Sequence, residues 1–337
     1  MKLATTIERW PLAEPFRITG RTFEHIDVLV VVLSDGALTG RGEAAGVYYH
    51  EESPERMSAQ IEAVRSRLET LTDGEQLLDI LPAGGARNAV DCALWELRAQ
   101  RSKRPVWELA GLDAPRPLLT TWTLGADTPE AMAASARRFQ NARALKLKLI
   151  GDGLDAERVR AVRRERPDVW LGVDANQGFT PDSLVSILPV LTAAQVKLIE
   201  QPFPVGMEAA LDGLRCPIPI AADESAQDAS DLPALSGRFD VINIKLDKCG
   251  GLTAALAMAR AARALGMQLM VGNMVGTSLA MAPAFLVGQL CDVVDLDGPL
   301  LLARDRVPGA VYEGGRIWCS PEIWGGDSVA LAAQSLR

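Results

Sequence analysis

The chain has only two histidines, His25 and His50, and no imidazole follows position 50. That absence excludes a histidine-rich zinc or di-metal site, a Ser-His-Asp triad and a histidine base from most of the sequence. Cysteine is scarce as well. Cys92, Cys216, Cys249, Cys291 and Cys319 are widely spaced, odd in number and free of any C-x-x-C pair. They read as free, buried thiols in a reducing cytoplasm rather than as disulfides or zinc ligands. No uncharged apolar run reaches about 18 residues, so no membrane-crossing helix is expected. The opening MKLATTIERWPL lacks the apolar stretch of a signal peptide. Positive charge is in deficit, with a formal net charge of −8, which argues against nucleic acid or an anionic membrane as partner. Catalysis in such a chain must use lysines, carboxylates, hydroxyls or a hard metal ion.

What is present is an ordinary globular balance, 48% apolar and 23% charged, in a length of 337 residues that suits a barrel plus an accessory domain. HIDVLVVVLSDG followed by ALTGRGEAAG reads as a hairpin turning at Asp35-Gly36. Two helical runs follow, PERMSAQIEAVRSRLETL and GARNAVDCALWELRAQRSK. Residues 1–112 are therefore expected to form an α+β domain. From 113 to about 300 the pattern changes to short apolar strands alternating with Ala-rich helices. Reference points on successive strands lie roughly 22 to 28 residues apart, a normal length for a βα unit. Eight such strands predict a (β/α) barrel. No full helix follows the last strand, and residues 301–337 read as turns and short strands returning to the first domain.

The polar residues at the strand ends carry the chemistry. Asp174 ends VWLGVDA, Glu200 ends VKLIEQ and Asp223 ends IPIAADE, three consecutive strands at one register. In such a barrel the C-terminal strand ends form the active face. Three converging carboxylates repel one another unless a cation intervenes, and an all-oxygen ligand set points to one Mg²⁺ per subunit. Lys146 and Lys148, in ALKLKLI, share one face of the preceding strand because strand side chains alternate. Lys245, in VINIKL, follows on the next strand, four positions from the Lys148 strand in an eight-strand ring. Two bases on opposite sides of one metal suit removal of a proton from one face of a carbon and its return to the other. At about 7 Å and an effective dielectric of about 20, the Lys146–Lys148 repulsion is roughly 2.4 kcal/mol. Lys148 is thus expected to act as a base, with Lys146 as its electrostatic tuner.

These residues resemble a known family. K146-L-K148, D174-A-N176, E200-Q-P, A-D223-E-S and N-I-K245-L-D-K-C-G-G are similar to the motifs of the enolase superfamily, in its muconate-lactonising-enzyme subgroup. The resemblance implies an α+β capping domain over a modified (β/α)₇β barrel, with Mg²⁺ on Asp174, Glu200 and Asp223. It also implies abstraction of the proton α to a substrate carboxylate. D295-L-D297-G-P-L resembles the D-x-D motif of dipeptide epimerases of the L-Ala-D/L-Glu type, in which two aspartates hold the substrate α-ammonium. Arg21 aligns with a capping-loop arginine for an acidic side chain, with Arg17 as its competitor, and Thr123 matches a substrate-contacting threonine. The expectation is a cytoplasmic, homo-oligomeric isomerase acting on a small dipeptide. A muconate cycloisomerase, an o-succinylbenzoate synthase or an N-acylamino-acid racemase on the same machinery is the alternative, and a noncatalytic carboxylate-binding barrel is a third.

Overall fold

The computed structural model describes residues 1–18, 21–71 and 74–326. The chain opens on an antiparallel sheet of β1 (Lys2–Ile18), β2 (Arg21–Asp35) and β3 (Leu38–Ala44), in that order. The β2–β3 hairpin turns at Gly36, whose φ of 61° is the left-handed conformation such a turn requires. The helix Gly85–Ser102 lies across this sheet. Gly40 and Gly42, in GRGEA, let it approach: a Cβ on either would stand 2.0 Å from a carbonyl oxygen, of Ala93 or Ala89. Steric necessity therefore dictates those two glycines. The other predicted helix is broken. It runs Pro54–Ala63, capped by Ser53, stops at Val64 (φ −121°, ψ 13°) and resumes for one turn at Arg65–Leu68.

Next come the short strand β4 (Leu118–Leu119) and eight parallel barrel strands. These are β5 (Thr121–Leu124), β6 (Ala144–Lys148), β7 (Trp170–Asp174), β8 (Leu198–Glu200), β9 (Ile220–Ala222), β10 (Val241–Ile244), β11 (Gln268–Val271) and β12 (Val293–Val294). They are hydrogen-bonded in sequence order from β5 to β12. Side chains complete the seam between β12 and β5: Thr120 Oγ1 accepts from Leu296 N at 2.9 Å, and Asp297 Oδ2 accepts from Thr123 N at 2.6 Å. On β6 the period-2 reading holds. Leu145, Leu147 and Leu149 are buried in the apolar core, while Lys146 and Lys148 point the other way, toward other charged groups.

After β12 the one helix among the described residues is the short Gly298–Leu301, and β13 (Val311–Glu313) and β14 (Arg316–Trp318) form a sheet with β4, in the order β13-β14-β4, rather than joining the first sheet. The return to the first sheet is made by side chains and single backbone contacts. Ala303 N donates to Pro11 O at 2.9 Å, Trp324 Nε1 to Arg41 O at 2.9 Å, and Arg306 Nη2 bridges Glu8 and Glu43 at 2.7 and 2.8 Å. Glu43 is buried and also accepts from Thr277 N at 2.7 Å, so one carboxylate ties the sheet to the barrel helix Ser278–Gly288. The part of this segment at 327–337 lies outside the described residues. All five cysteines are free, and no helix among the described residues is long and apolar enough to cross a membrane.

Candidate active site

Lys148, Asp174 and Glu200 are the last residues of β6, β7 and β8, and their backbones are in register, Lys148 with Asp174 and Asp174 with Glu200. Asp223 follows β9 by one residue, Lys245 follows β10, and Asp295 follows β12. The expected residues therefore meet at one rim of the barrel, all buried. Lys148 and Lys245 stand on strands four apart in the eight-strand order, on opposite sides of the ring.

Each carboxylate is gripped twice. Asp174 Oδ1 accepts from Asn176 N at 2.9 Å and Oδ2 from Lys148 Nζ at 2.5 Å. Glu200 Oε1 accepts from Asn243 Nδ2 at 2.8 Å and Oε2 from Lys146 Nζ at 3.4 Å. Asp223 Oδ1 accepts from Lys248 Nζ at 2.7 Å and Oδ2 from Lys245 Nζ at 2.6 Å. Lys146 also bonds Asp295, which accepts from Thr121 Oγ1 as well.

These contacts alter the expected electrostatics of K-L-K. The two ammoniums are each held by a carboxylate, Lys146 by Asp295 and Lys148 by Asp174. Burial opposes the charge on Lys146, yet Asp295, Glu200 and Asp174 overcome it and hold the ammonium well above its ordinary value. Lys245 is raised for the same reason, burial being outweighed by Asp223 and Glu200. The acids respond unequally. Burial, then the charges of Asp174 and Asp223, push Glu200 up to about 8. Burial acts on Asp223 too, but Lys245 and Lys248 outweigh it and carry that carboxyl below its ordinary range. Asp297 rises to about 6 through burial and the neighbouring Asp295.

Among the described residues no three carboxylate, imidazole or thiolate side chains are drawn tightly round one point, because lysines take the second oxygen of each acid. The donor set nevertheless fits a hard divalent cation. It has three buried carboxylates on neighbouring strands, and one of them, Glu200, is raised by burial and then by the charges of Asp174 and Asp223. Three orphaned oxygens, Asn176 Oδ1, Glu224 Oε2 and Asn243 Oδ1, stand beside the acids.

A cavity of about 560 Å³ opens above the rim. Its barrel side carries Lys148, Asn176, Asp223, Glu224 and Lys245, and its other side Phe16, Arg21, Phe23, Tyr48 and Tyr49 from the first domain. Arg21 lies 5.0 Å from the Phe23 ring centroid and 5.1 Å from that of Tyr48, an aromatic cradle that aims its guanidinium. Arg17 is not part of this lining and meets Asp127 at 3.7 Å instead. Asp295, Asp297 and Thr123 also lie outside the lining, as do Lys146, Asp174 and Glu200; Asp295 is engaged with Lys146 and Asp297 with Thr123.

Sequence reasoning missed several residues that the structure brings to this site. Asn243 was legible, since it precedes Lys245 by two and shares its strand face. Lys248 sits one helical turn past Lys245, in Leu246–Cys249, and had no periodic signal. Gln201 Oε1 accepts from both Asp223 N and Ser225 N, at 2.9 and 3.1 Å, clamping the β8 and β9 ends together. Asp247 reaches across to the first domain, accepting from Gly46 N at 2.8 Å.

Comparison with known proteins agrees with this geometry. Residues 1–111 match the family described as mandelate racemase / muconate lactonizing enzyme, N-terminal domain, and residues 131–319 match that described as enolase C-terminal domain-like. The chain is 41% identical over 311 residues to the L-Ala-D/L-Glu epimerase of Escherichia coli, spanning 92% of this chain and 97% of that one. It is 40% identical over 305 residues to an N-acetyl-D-glutamate racemase of a Pseudoalteromonas species, 89% and 95% of the two chains. Among solved structures, an enolase family member from Agrobacterium tumefaciens with bound sodium and L-Ala-L-Glu superposes with a TM-score of 0.93 at 42% identity, covering 96% of this chain and 99% of that one. A dipeptide epimerase from Methylococcus capsulatus complexed with Mg and L-Arg-D-Lys gives 0.87 at 33%, over 95% and 98%. With a capping sheet, a near-closed barrel and family matches over residues 1–111 and 131–319, the chain belongs to the enolase superfamily, in its mandelate racemase / muconate lactonizing enzyme group.

Proposed function

We propose that the protein is a Mg²⁺-dependent dipeptide epimerase that inverts the α-carbon of the C-terminal residue, L-Ala-L/D-Glu or a related dipeptide, by a two-base 1,1-proton transfer. The observation that carries this reading is the placement of Lys148 and Lys245 on opposite sides of the ring with Asp174, Glu200 and Asp223 between them. Asp174, Glu200 and Asp223 would hold the cation, and its positive charge would acidify the proton α to the substrate carboxylate. Lys148 takes the proton on one face at Nζ and Lys245 delivers one to the other face from its Nζ; the reverse reaction exchanges their roles. For the balance of protons Lys148 starts this direction as the neutral amine and Lys245 as the ammonium, and a cation on Asp174 and Asp223 would take over the oxygens that the two lysines meet in the structure. Arg21, held between Phe23 and Tyr48, donates two hydrogen bonds to an acidic C-terminal side chain. Asp295 and Asp297 take the substrate ammonium, with Lys146 moving off Asp295 toward the substrate carboxylate. Thr123, whose amide donates to Asp297, sets the depth of that subsite. A homo-oligomeric, cytoplasmic enzyme is part of the same reading, and light scattering tests the assembly.

The test is turnover of L-Ala-L-Glu in D₂O with Mg²⁺. One deuterium should enter at the C-terminal α-carbon as the D-epimer appears, and a panel of L,L-dipeptides without exchange would sink the proposal. A racemase of N-acylated amino acids is a second reading, favoured by one observation: the free enzyme already pairs Asp295 with Lys146 and sets Asp297 outside the cavity lining. Asp297→Asn separates the two. It should raise KM for the dipeptide while leaving N-acetyl-glutamate handling unchanged if the acid reads an ammonium.

A further inference from the structure

The two grips on each carboxylate differ in kind. One oxygen of each acid meets Lys148, Lys146 or Lys245, whereas the other is held by a group with no other role at the site: the Asn176 amide, the Asn243 carboxamide and the Lys248 ammonium. The locking groups are themselves fixed. Lys248 is fully buried and donates also to Asp223 O at 2.5 Å and Asn243 O at 3.0 Å. Asn243 is fully buried against Gly272, where a Cβ would stand 2.7 Å from Asn243 Oδ1 and 2.9 Å from its Nδ2. Glycine at 272 thus makes the space in which Asn243 can lie.

We infer that Lys248 and Asn243 are positioning residues that leave Asp223 and Glu200 one oxygen each to offer an ion, the oxygen that Lys245 or Lys146 meets in the structure, and thereby select Mg²⁺ over Ca²⁺. The inference rests on the cation site proposed above. With one oxygen locked per acid, each side chain offers a single point of attachment. Mg²⁺ demands a compact octahedron of single contacts, whereas Ca²⁺ takes six to eight oxygens and readily accepts both oxygens of one carboxylate. A locked acid serves the first ion and starves the second. Partners of this kind, which touch a ligand but not the ion, commonly change metal affinity by about 10- to 100-fold when removed.

The experiment titrates Mg²⁺ and Ca²⁺ separately into the metal-free full-length protein by calorimetry, for wild type, Asn243→Ala and Lys248→Met. Removing the Lys248 charge shifts affinity for both divalent ions alike, so the Ca²⁺/Mg²⁺ ratio isolates the effect of the freed oxygen. Each variant is expected to raise that ratio about tenfold or more. Asn243→Ala changes no charge and carries the test if Lys248→Met fails to fold. Parallel loss of both affinities, or an unchanged ratio, overturns the inference and leaves the cation site standing. A wild type that binds neither ion overturns the site reading together with it.

Discussion

Replacing Asp247 with asparagine should make the protein more stable in alkali than in acid, relative to wild type. Asp247 is buried and bonded to Gly46 N at 2.8 Å. Burial, and then the charge of Glu52, raise its carboxyl from 3.8 to about 7, against the pull of backbone amides. Because the folded-state value lies above the unfolded one, the folded protein holds the proton over the interval between them. Stability therefore falls as pH rises through that window, from about 4 to about 7, and is flat above it. At about 1.4 kcal/mol per pKa unit, ionising this group in place costs about 4 kcal/mol, of which about 2–3 kcal/mol develops between pH 5 and pH 8. An asparagine keeps the acceptor for Gly46 and never ionises. Its second amide hydrogen carries a pH-independent penalty, which cancels when the two pH values are compared. Urea unfolding of both proteins at pH 5 and pH 8 measures the difference. A gain at pH 8 exceeding that at pH 5 by about 2–3 kcal/mol is expected. Equal effects at the two pH values would refute the reasoning and mark Asp247 as an ionised anchor of the Gly46 loop.

Lys245→Gln should abolish net epimerisation of either epimer, while Lys148 still exchanges the α-proton of the epimer that presents it; NMR of each epimer in D₂O reads this, and exchange of both or neither would count against the two-base assignment. Arg21→Met should lower kcat/KM for Ala-Glu by about 10- to 100-fold, the worth of a charge-assisted hydrogen bond, and should spare a dipeptide with an apolar C-terminal residue; equal losses would remove Arg21 from the specificity role. Gly272→Ala should destabilise the fold by about 1–3 kcal/mol, the usual range for overpacking, because the new methyl meets Asn243 and, at 3.0 Å, Lys245 Cε. Activity should fall with it, and a variant with wild-type melting and turnover would show that Asn243 moves aside freely.

Much of the site could be read from periodicity. ALKLK announced its two faces because a strand repeats every two residues, and the acids at 174, 200 and 223 announced one register because each closes an apolar run. Pairing of charges across strands was not legible in the same way. Spacing placed Lys146 near Lys148, but not Asp295 near Lys146, since those residues are 149 positions apart and meet only when the ring closes. The repulsion expected within K-L-K was therefore answered by acids arriving from three other strands. Lys248 and Asp247 escaped for a related reason, because both lie in a single helical turn too short to show a period. The break at Val64 was hidden by apolar spacing that continues unchanged through it. The pairing of β13 and β14 with β4 was hidden too, by strands only two or three residues long.

The seam between β12 and β5 has a consequence for how such an enzyme changes its diet. Asp295 and Asp297 are the residues proposed to read the substrate amine, yet they also fasten the first and last barrel strands through Thr121 and Thr123. A lineage that abandons the amine by mutating them must find another clasp for its barrel at the same step. Arg21, on a surface ribbon of the other domain, carries no such second duty. On that proposal, preference for the C-terminal side chain is free to drift, while a change at the amino end has to be made without loosening the barrel.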